Sequence, residues 1–154
     1  YAILIGRYFK VPEAAMITAI ESYVPENNRS QLLQLGSNRI ILDAYNANPS
    51  SMKAALQNLK MQKANHKIAI LGDMFELGEE AKREHQVIAD LAASLANTTT
   101  YLVGNNFFKA ATHLPKFNDF EAFKNFLSKN CPRESTVLIK GSRGMALERI
   151  LEIF

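Results

Sequence analysis

The chain has 154 residues, enough for one domain with a substantial core and a short appendage, and its 47% hydrophobic and 21% charged residues exclude a disordered tail or a fibrous repeat. Its net charge of +3, from 18 Lys and Arg against 15 Asp and Glu, is scattered without a basic run, so no nucleic-acid surface is expected, although a local anion site stays open. The single Cys131 allows neither an internal disulfide nor a cysteine-rich zinc cluster; this fits a reducing compartment, and the expected location is the cytoplasm.

No apolar run approaches the roughly 18–20 residues that span a bilayer, because Arg7, Lys10 and Glu13 interrupt the opening segment, so no membrane span is expected. The chain enters at Tyr1 directly in apolar, helix-like sequence, which reads as a piece of something larger. In Val11-Pro12-Glu13 the proline can occupy the first turn of a helix, and Met16, Ala19, Ile20 and Tyr23 then make one apolar face. Val24-Pro25-Glu26-Asn27-Asn28 should end that helix and mark a boundary, giving a helical tail over 1–27 and a domain over 28–154.

From Gln31 onward β-rich runs alternate with helical patterns. Strands are expected at residues 39–42, 67–71, 100–103 and 136–139, each a continuous apolar run of the kind buried on both faces. Between them, helices carry Met52, Ala55, Leu56 and Leu59, then Ile88, Leu91, Ala92 and Leu95; the last carries Leu147, Ile150, Leu151 and Phe154. Asn118, with Glu121 three residues on, offers a cap for a further helix containing Phe123 and Leu127. This alternation predicts an α/β fold with a mostly parallel sheet flanked by helices. Ligands in such sheets gather at the carboxyl ends of the strands.

Three loops there carry chemistry. In Asp43-Ala44-Tyr45-Asn46-Ala47-Asn48-Pro49-Ser50-Ser51-Met52, Asn48 and Pro49 are explained as a helix cap and first-turn proline. Asp43, Tyr45 and Asn46 are not, and a carboxylate, a phenol and an amide at one strand end suit a ribose or a zwitterion. In Gly72-Asp73-Met74-Phe75-Glu76-Leu77-Gly78, the glycines as turn residues and Asp73 as a local cap weigh evenly against a binding role. His85 beyond it lacks a second metal ligand at a useful spacing and reads as a surface or packing residue. In Lys140-Gly141-Ser142-Arg143-Gly144, two cations, a hydroxyl and glycine-freed amides make an anion site, against the plainer reading of a turn capped by Ser142. No Gly-x-x-x-x-Gly-Lys-Ser/Thr loop and no Gly-x-Gly-x-x-Gly occurs, so an ATPase phosphate cradle is not in these residues and a dinucleotide site is disfavoured.

In this order the three loops resemble the Mur ligase family. Asp-x-Tyr-Asn-Ala-Asn-Pro-x-Ser-Met over 43–52 is similar to the MurF type in particular, where MurE-type relatives have Asp-Tyr-Ala-His-Thr-Pro and folylpolyglutamate synthetases have Asp-Gly-Ala-His-Asn-Pro. Leu71 to Gly78 and Lys140 to Met145 match the other carboxy-terminal motifs of that type. The resemblance implies a Rossmann-like three-layer carboxy-terminal domain over 28–154, preceded by a short helical remnant of the central ATPase domain. At the junction the family reads Gly-Arg-x-Gln, where this chain has Asn28-Arg29-Ser30-Gln31.

The implied activity is that of an ATP-dependent acid–amino-acid ligase joining D-alanyl-D-alanine to UDP-N-acetylmuramoyl-tripeptide through an acyl phosphate. ATP and Mg2+ would be held mainly by a central domain absent from these residues, so this portion alone would be inactive, with no complete catalytic set and no metal ligands. By the same resemblance Arg29, Asp43, Tyr45 and Asn46 would meet ATP, Arg29 near the phosphates and Asp43 on the ribose. Asn48, Asp73, Lys140, Ser142 and Arg143 would place the dipeptide or the peptide end of the precursor. The alternatives are a free-standing Rossmann-like module that binds a small anion at the Lys140 loop, and a sibling ligase for another amine.

Overall fold

The computed structural model describes residues 1–23 and 27–154. Val24, Pro25 and Glu26 of the expected boundary turn lie outside the described residues, whereas Asn27 and Asn28 on its far side form a turn. Helices α1 (Ala2–Tyr8) and α2 (Glu13–Glu21) open the chain, with Pro12 at the N-cap of α2 instead of inside its first turn. Neither helix buries a residue, and Leu4, Tyr8, Phe9, Ile17, Ile20 and Tyr23 are exposed.

Six strands follow: β1 (Gln31–Leu35), β2 (Asn38–Asp43), β3 (His66–Gly72), β4 (Thr98–Val103), β5 (Lys116–Phe117) and β6 (Ser135–Lys140). They form one sheet in the order β1-β2-β6-β3-β4-β5. Only β1 runs antiparallel, against β2; every other neighbouring pair is parallel. Parallel neighbours need a crossover. Helix α3 (Pro49–Met61) supplies it between β2 and β3, α4 (Ala81–Ala93) between β3 and β4, and α6 (Phe120–Lys129) between β5 and β6; the short α5 (Asn105–Phe108) leads from β4 toward β5.

Strand side chains alternate between faces. Ile41, Ala69, Leu71 and Leu138 pack against Met52, Leu56 and Leu59 of α3, Ile88, Ala89 and Ala92 of α4 and Phe107 of α5. Ile40, Leu42, Ile68, Ile70, Val137 and Ile139 pack on the opposite face against Phe120, Phe123 and Leu127 of α6 and against Leu147 and Ile150. Two apolar cores separated by one sheet make the expected three-layer, mostly parallel α/β domain.

The departures are local. Two strands carry no continuous apolar run: β1 alternates partly buried and exposed residues, and β5 is only 2 residues long. The cap of α6 is Asp119, one residue beyond the expected Asn118, because its carboxylate reaches the N–H of Ala122 at 2.8 Å. The last helical stretch is 3-10, over Arg143–Met145 and Leu147–Ile153, interrupted by the left-handed Ala146 (φ 47°). In a 3-10 turn residues three apart stack, which is why Leu147 and Ile150 are fully buried while Leu151 and Phe154 are only partly so.

Leu56 has no exposed surface and lies among α3, α4 and the sheet. Leu56→Ala should therefore cost about 2–5 kcal/mol, the range for a buried Leu truncation that cannot collapse fully; the shift of the urea unfolding midpoint measures it.

Candidate functional site

The end of β6 lies between the ends of β2 and β3, with Lys140 in register with Asp43 on one side and Leu71 on the other. The three chemically distinctive loops are therefore adjacent in space. Lys140 is 1% exposed, and its ammonium donates to Asp43 Oδ2 at 2.6 Å and to the carbonyl of Asn46 at 3.1 Å. Asp43 keeps 21% of its side chain exposed, and its other oxygen accepts from the Ser30 N–H at 3.3 Å. The buried cation thus binds the first loop to the third, while the carboxylate still faces water.

Asn48 caps α3: its Oδ1 accepts from the Ser51 N–H at 2.9 Å and from the Ser50 hydroxyl at 2.8 Å, while Ser51 Oγ accepts from the Asn48 N–H at 3.1 Å. With Pro49 at the first turn, this is the capping arrangement expected. Asn46 accepts from the Ala47 N–H at 2.8 Å and remains exposed.

The segment 27–30 takes left-handed backbone at Asn27, Asn28 and Ser30 (φ 58°, 60° and 52°). Asn tolerates that region better than other residues with a side chain, so Asn28 keeps a conformation natural to the glycine expected there. Its carbonyl accepts from the Tyr45 N–H at 3.2 Å. Arg29 then lies over the Tyr45 ring, its guanidinium carbon 3.8 Å from the ring centroid, and Arg143 approaches the same ring at 5.3 Å. Hydrogen bonding and charge from Arg29, followed by the charge of Arg143, hold the Tyr45 phenol below its ordinary pKa. Arg29, Tyr45 and Arg143 line an open cleft of about 750 Å³ together with Asn28 and Glu148. Oxygen Oε2 of Glu148 is buried there without a hydrogen-bond partner among the described residues.

The second loop is held from inside. Asp73 is buried, and its carboxylate accepts from the N–H groups of Asn106 (2.8 Å) and Phe107 (2.9 Å), tying the loop to α5. It is thus a cap, but for a helix more than thirty residues away instead of a local one. Gly104 (φ 121°) makes room for it, since a Cβ there would collide with the Asp73 carboxylate. His85 is fully buried: its Nδ1 lies 2.6 Å from the Ala81 carbonyl and its Nε2 accepts from the Met74 N–H at 2.9 Å. Those partners place the ring proton on Nδ1, so the residue packs and orients the loop, as expected. Ser142 does not cap the following turn with its side chain; its Oγ accepts from the Phe75 N–H at 2.8 Å and joins the third loop to the second.

Of the residues singled out in the sequence, Arg29, Asp43, Tyr45, Asn46 and Arg143 thus keep surface at the strand ends, whereas Asp73, Lys140 and Ser142 are turned inward. Phe75, Glu76 and Glu148 also line the site. Phe75 and Glu76 fall in a loop already marked by its glycines; Glu148 sits in a helical stripe and leaves no comparable signal.

A three-layer α/β domain with polar and glycine-rich loops collected where its parallel strands end belongs to the class that binds ligands at that edge. Residues 28–143, well over half of the chain, match the Mur ligase, glutamate ligase domain, and the chain belongs to the Mur ligase family. It is 34% identical over 132 residues to the UDP-N-acetylmuramoyl-tripeptide--D-alanyl-D-alanine ligase of Rickettsia prowazekii, an alignment covering 82% of this chain and 29% of that protein. Among solved structures, MurF from Acinetobacter baumannii has a TM-score of 0.80 at 27% identity, covering 97% of this chain and 34% of that one. The MurF ligase from Thermotoga maritima, solved in complex with ADP, shares the fold at TM-score 0.81 and 22% identity, covering 99% of this chain and 35% of that one. The chain thus spans about a third of the length of the relatives it matches.

Two outcomes follow from the geometry. Asp43→Ala strands a buried ammonium and should cost about 3–5 kcal/mol, whereas Lys140→Met leaves a carboxylate that water can reach and should cost about 1–2 kcal/mol; equal losses in urea unfolding would mean that the Lys140 ammonium is solvated. Arg29→Ala should move the Tyr45 titration up toward the ordinary tyrosine value, followed by NMR on ring-labelled protein. An unmoved titration would mean that Arg29 does not rest on the ring in solution.

Proposed function

We propose that this chain is the part of an ATP-dependent ligase that closes over the nucleotide and positions the incoming amine, in the joining of D-alanyl-D-alanine to UDP-N-acetylmuramoyl-tripeptide during peptidoglycan precursor synthesis. The observation that carries it is the meeting, in a Mur ligase domain, of Arg29, Tyr45 and Arg143 in one cleft beside the Asp43–Lys140 pair. The boundary falls at residues 27–28, where the family match begins, with α1 and α2 belonging to the central ATPase domain and their apolar residues facing it. The reaction takes place in the cytoplasm, the reducing compartment that the single Cys131 fits.

In the proposed sequence, a carboxylate oxygen of the tripeptide attacks the γ-phosphorus of ATP and ADP departs. The amine of the dipeptide, having lost its ammonium proton, then attacks the acyl carbon, and phosphate leaves as the amide forms. Arg29 supplies charge near the phosphates and Asp43 accepts from the ribose hydroxyls through its water-facing side, with Tyr45 and Asn46 beside them. Arg143 and the free amide end of Asn48 help to place the amine or the peptide, with Ser142 acting through the Phe75 N–H that it holds. Asp73 and Lys140, both buried, act through the loops they hold. Such a domain raises the rate by orienting the amine and by keeping water from the acyl phosphate. Among the described residues no three His, Cys, Asp or Glu side chains converge on one position, and no step assigned to the residues of this domain runs through Mg2+.

The test is phosphate release from ATP by the full-length ligase carrying this chain, given UDP-N-acetylmuramoyl-tripeptide with and without D-alanyl-D-alanine. Release that depends on the dipeptide is expected; release with another amine, or none, overturns the assignment. In the same assay Asp43→Asn should raise KM for ATP roughly tenfold or more, the effect of weakening a hydrogen bond to a charged group, and leave KM for the UDP substrate unchanged. An unchanged KM for ATP removes Asp43 from the ribose.

A further inference from the structure

The cleft beside Tyr45 is lined by the guanidiniums of Arg29 and Arg143 and the carboxylate of Glu148, none of which makes an ion pair among the described residues. Glu148 stands apart because its Oε2 is buried and has no hydrogen-bond donor among those residues. A buried charged oxygen without a donor is the costly case, since nothing offsets its lost hydration. The backbone beneath it has little room to shift. Leu147 before it and Ile150 after it are fully buried, and Leu147 is wedged against Gly72 and Gly141, where a Cβ would come 2.7 and 2.9 Å from it.

The oxygen lacks a donor, and the cleft holds two strong ones. Arg143 lies on the same stretch of chain as Glu148, so a pair between them would tie that stretch only to itself. Arg29 is placed differently. Its face rests on the Tyr45 ring at 3.8 Å, and its N–H groups lie around the edge of the guanidinium plane, the fork that a carboxylate matches. The described backbone ties of its segment, from the Tyr45 N–H to the Asn28 carbonyl at 3.2 Å and from the Ser30 N–H to Asp43 at 3.3 Å, both run to the first loop. A bare carboxylate in this cleft would repel phosphates; one covered by a guanidinium would not.

We propose that Glu148 is a positioning residue for Arg29: when nucleotide fills the cleft, the carboxylate takes one edge of the guanidinium and fixes it against the Tyr45 ring, with its remaining N–H groups turned to the phosphates. This rests on the ligase reading above and adds to it the group that aims Arg29. The same contact ties the junction segment to the helical stretch after the third loop, so nucleotide binding and the path of the junction become coupled.

The experiment is a double-mutant cycle on the full-length ligase carrying this chain, read as the calorimetric Kd of a non-hydrolysable ATP analogue. Glu148→Gln should raise that Kd roughly tenfold or more, as expected for losing a charge-assisted hydrogen bond. In the Arg29→Ala background the same change should move it less than about twofold, because the carboxylate acts only through that cation. Without nucleotide, Glu148→Gln should keep or raise the melting temperature, since it removes a buried charge that has no partner. An unchanged Kd, equal losses in both backgrounds, or a lowered melting temperature overturns the assignment. Analogue binding without dipeptide-dependent phosphate release sinks the ligase reading alone, and the cycle still reads the coupling; an analogue that does not bind the wild-type protein overturns both.

Discussion

The last strand of the chain, β6, lies in the middle of the sheet between β2 and β3, and the arrangement of the site depends on that insertion. Through it, Asp43 and Lys140, 97 residues apart, become register partners and then an ion pair at 2.6 Å. The register leaves little freedom. All six residues of β6 are buried, so a one-residue slip would exchange its two apolar faces and carry Lys140 out of reach of Asp43. The site therefore cannot assemble before β6 is in place, the situation in which loop-closure entropy must be overcome before long-range contacts form.

Around that pair the polar groups divide by direction. Lys140, Asp73, His85 and the Ser142 hydroxyl point inward and spend their hydrogen bonds on backbone groups or on one another's loops. Buried polar groups with partners rigidify; without them they would each cost about 1–3 kcal/mol. Tyr45, Asn46, Glu76 and Arg143 remain at the surface of the same three loops, with Arg29 beside them from the segment before β1. A rigid inner set under an available outer set is what binding at an open edge requires: the loops enter the encounter already shaped, and less entropy is lost on closure.

The sheet has a second consequence for the cleft. Tyr45 follows the end of β2 and Arg143 follows the end of β6, so the phenol and one guanidinium come together through strand pairing, while Arg29 arrives from the segment before β1. Three left-handed residues within 27–30 bend that segment back over the first loop. The cation on the ring thus reports the path of the junction as much as the chemistry of the cleft, and the tail of α1 and α2 enters the domain there.

The order of strands and helices, the mostly parallel sheet, the apolar stripe of each crossover helix and the Asn48–Pro49 start of α3 were legible in the sequence, because burial on both faces and capping chemistry are written in local residue patterns. The three loops were legible for a similar reason: polar and glycine residues directly after an apolar strand stand out from their surroundings. Edge strands β1 and β5 were not, since a half-exposed strand and a two-residue strand leave no periodic signal. Nor was the orientation of the polar residues. Asp43 and Asp73 look alike as carboxylates after strands, yet the position of β6 left one facing water beside Lys140, and the approach of α5 buried the other under two backbone amides. Which side chain is a tie and which is left for a ligand depends on partners distant in sequence, and only tertiary packing brings those partners within hydrogen-bonding range.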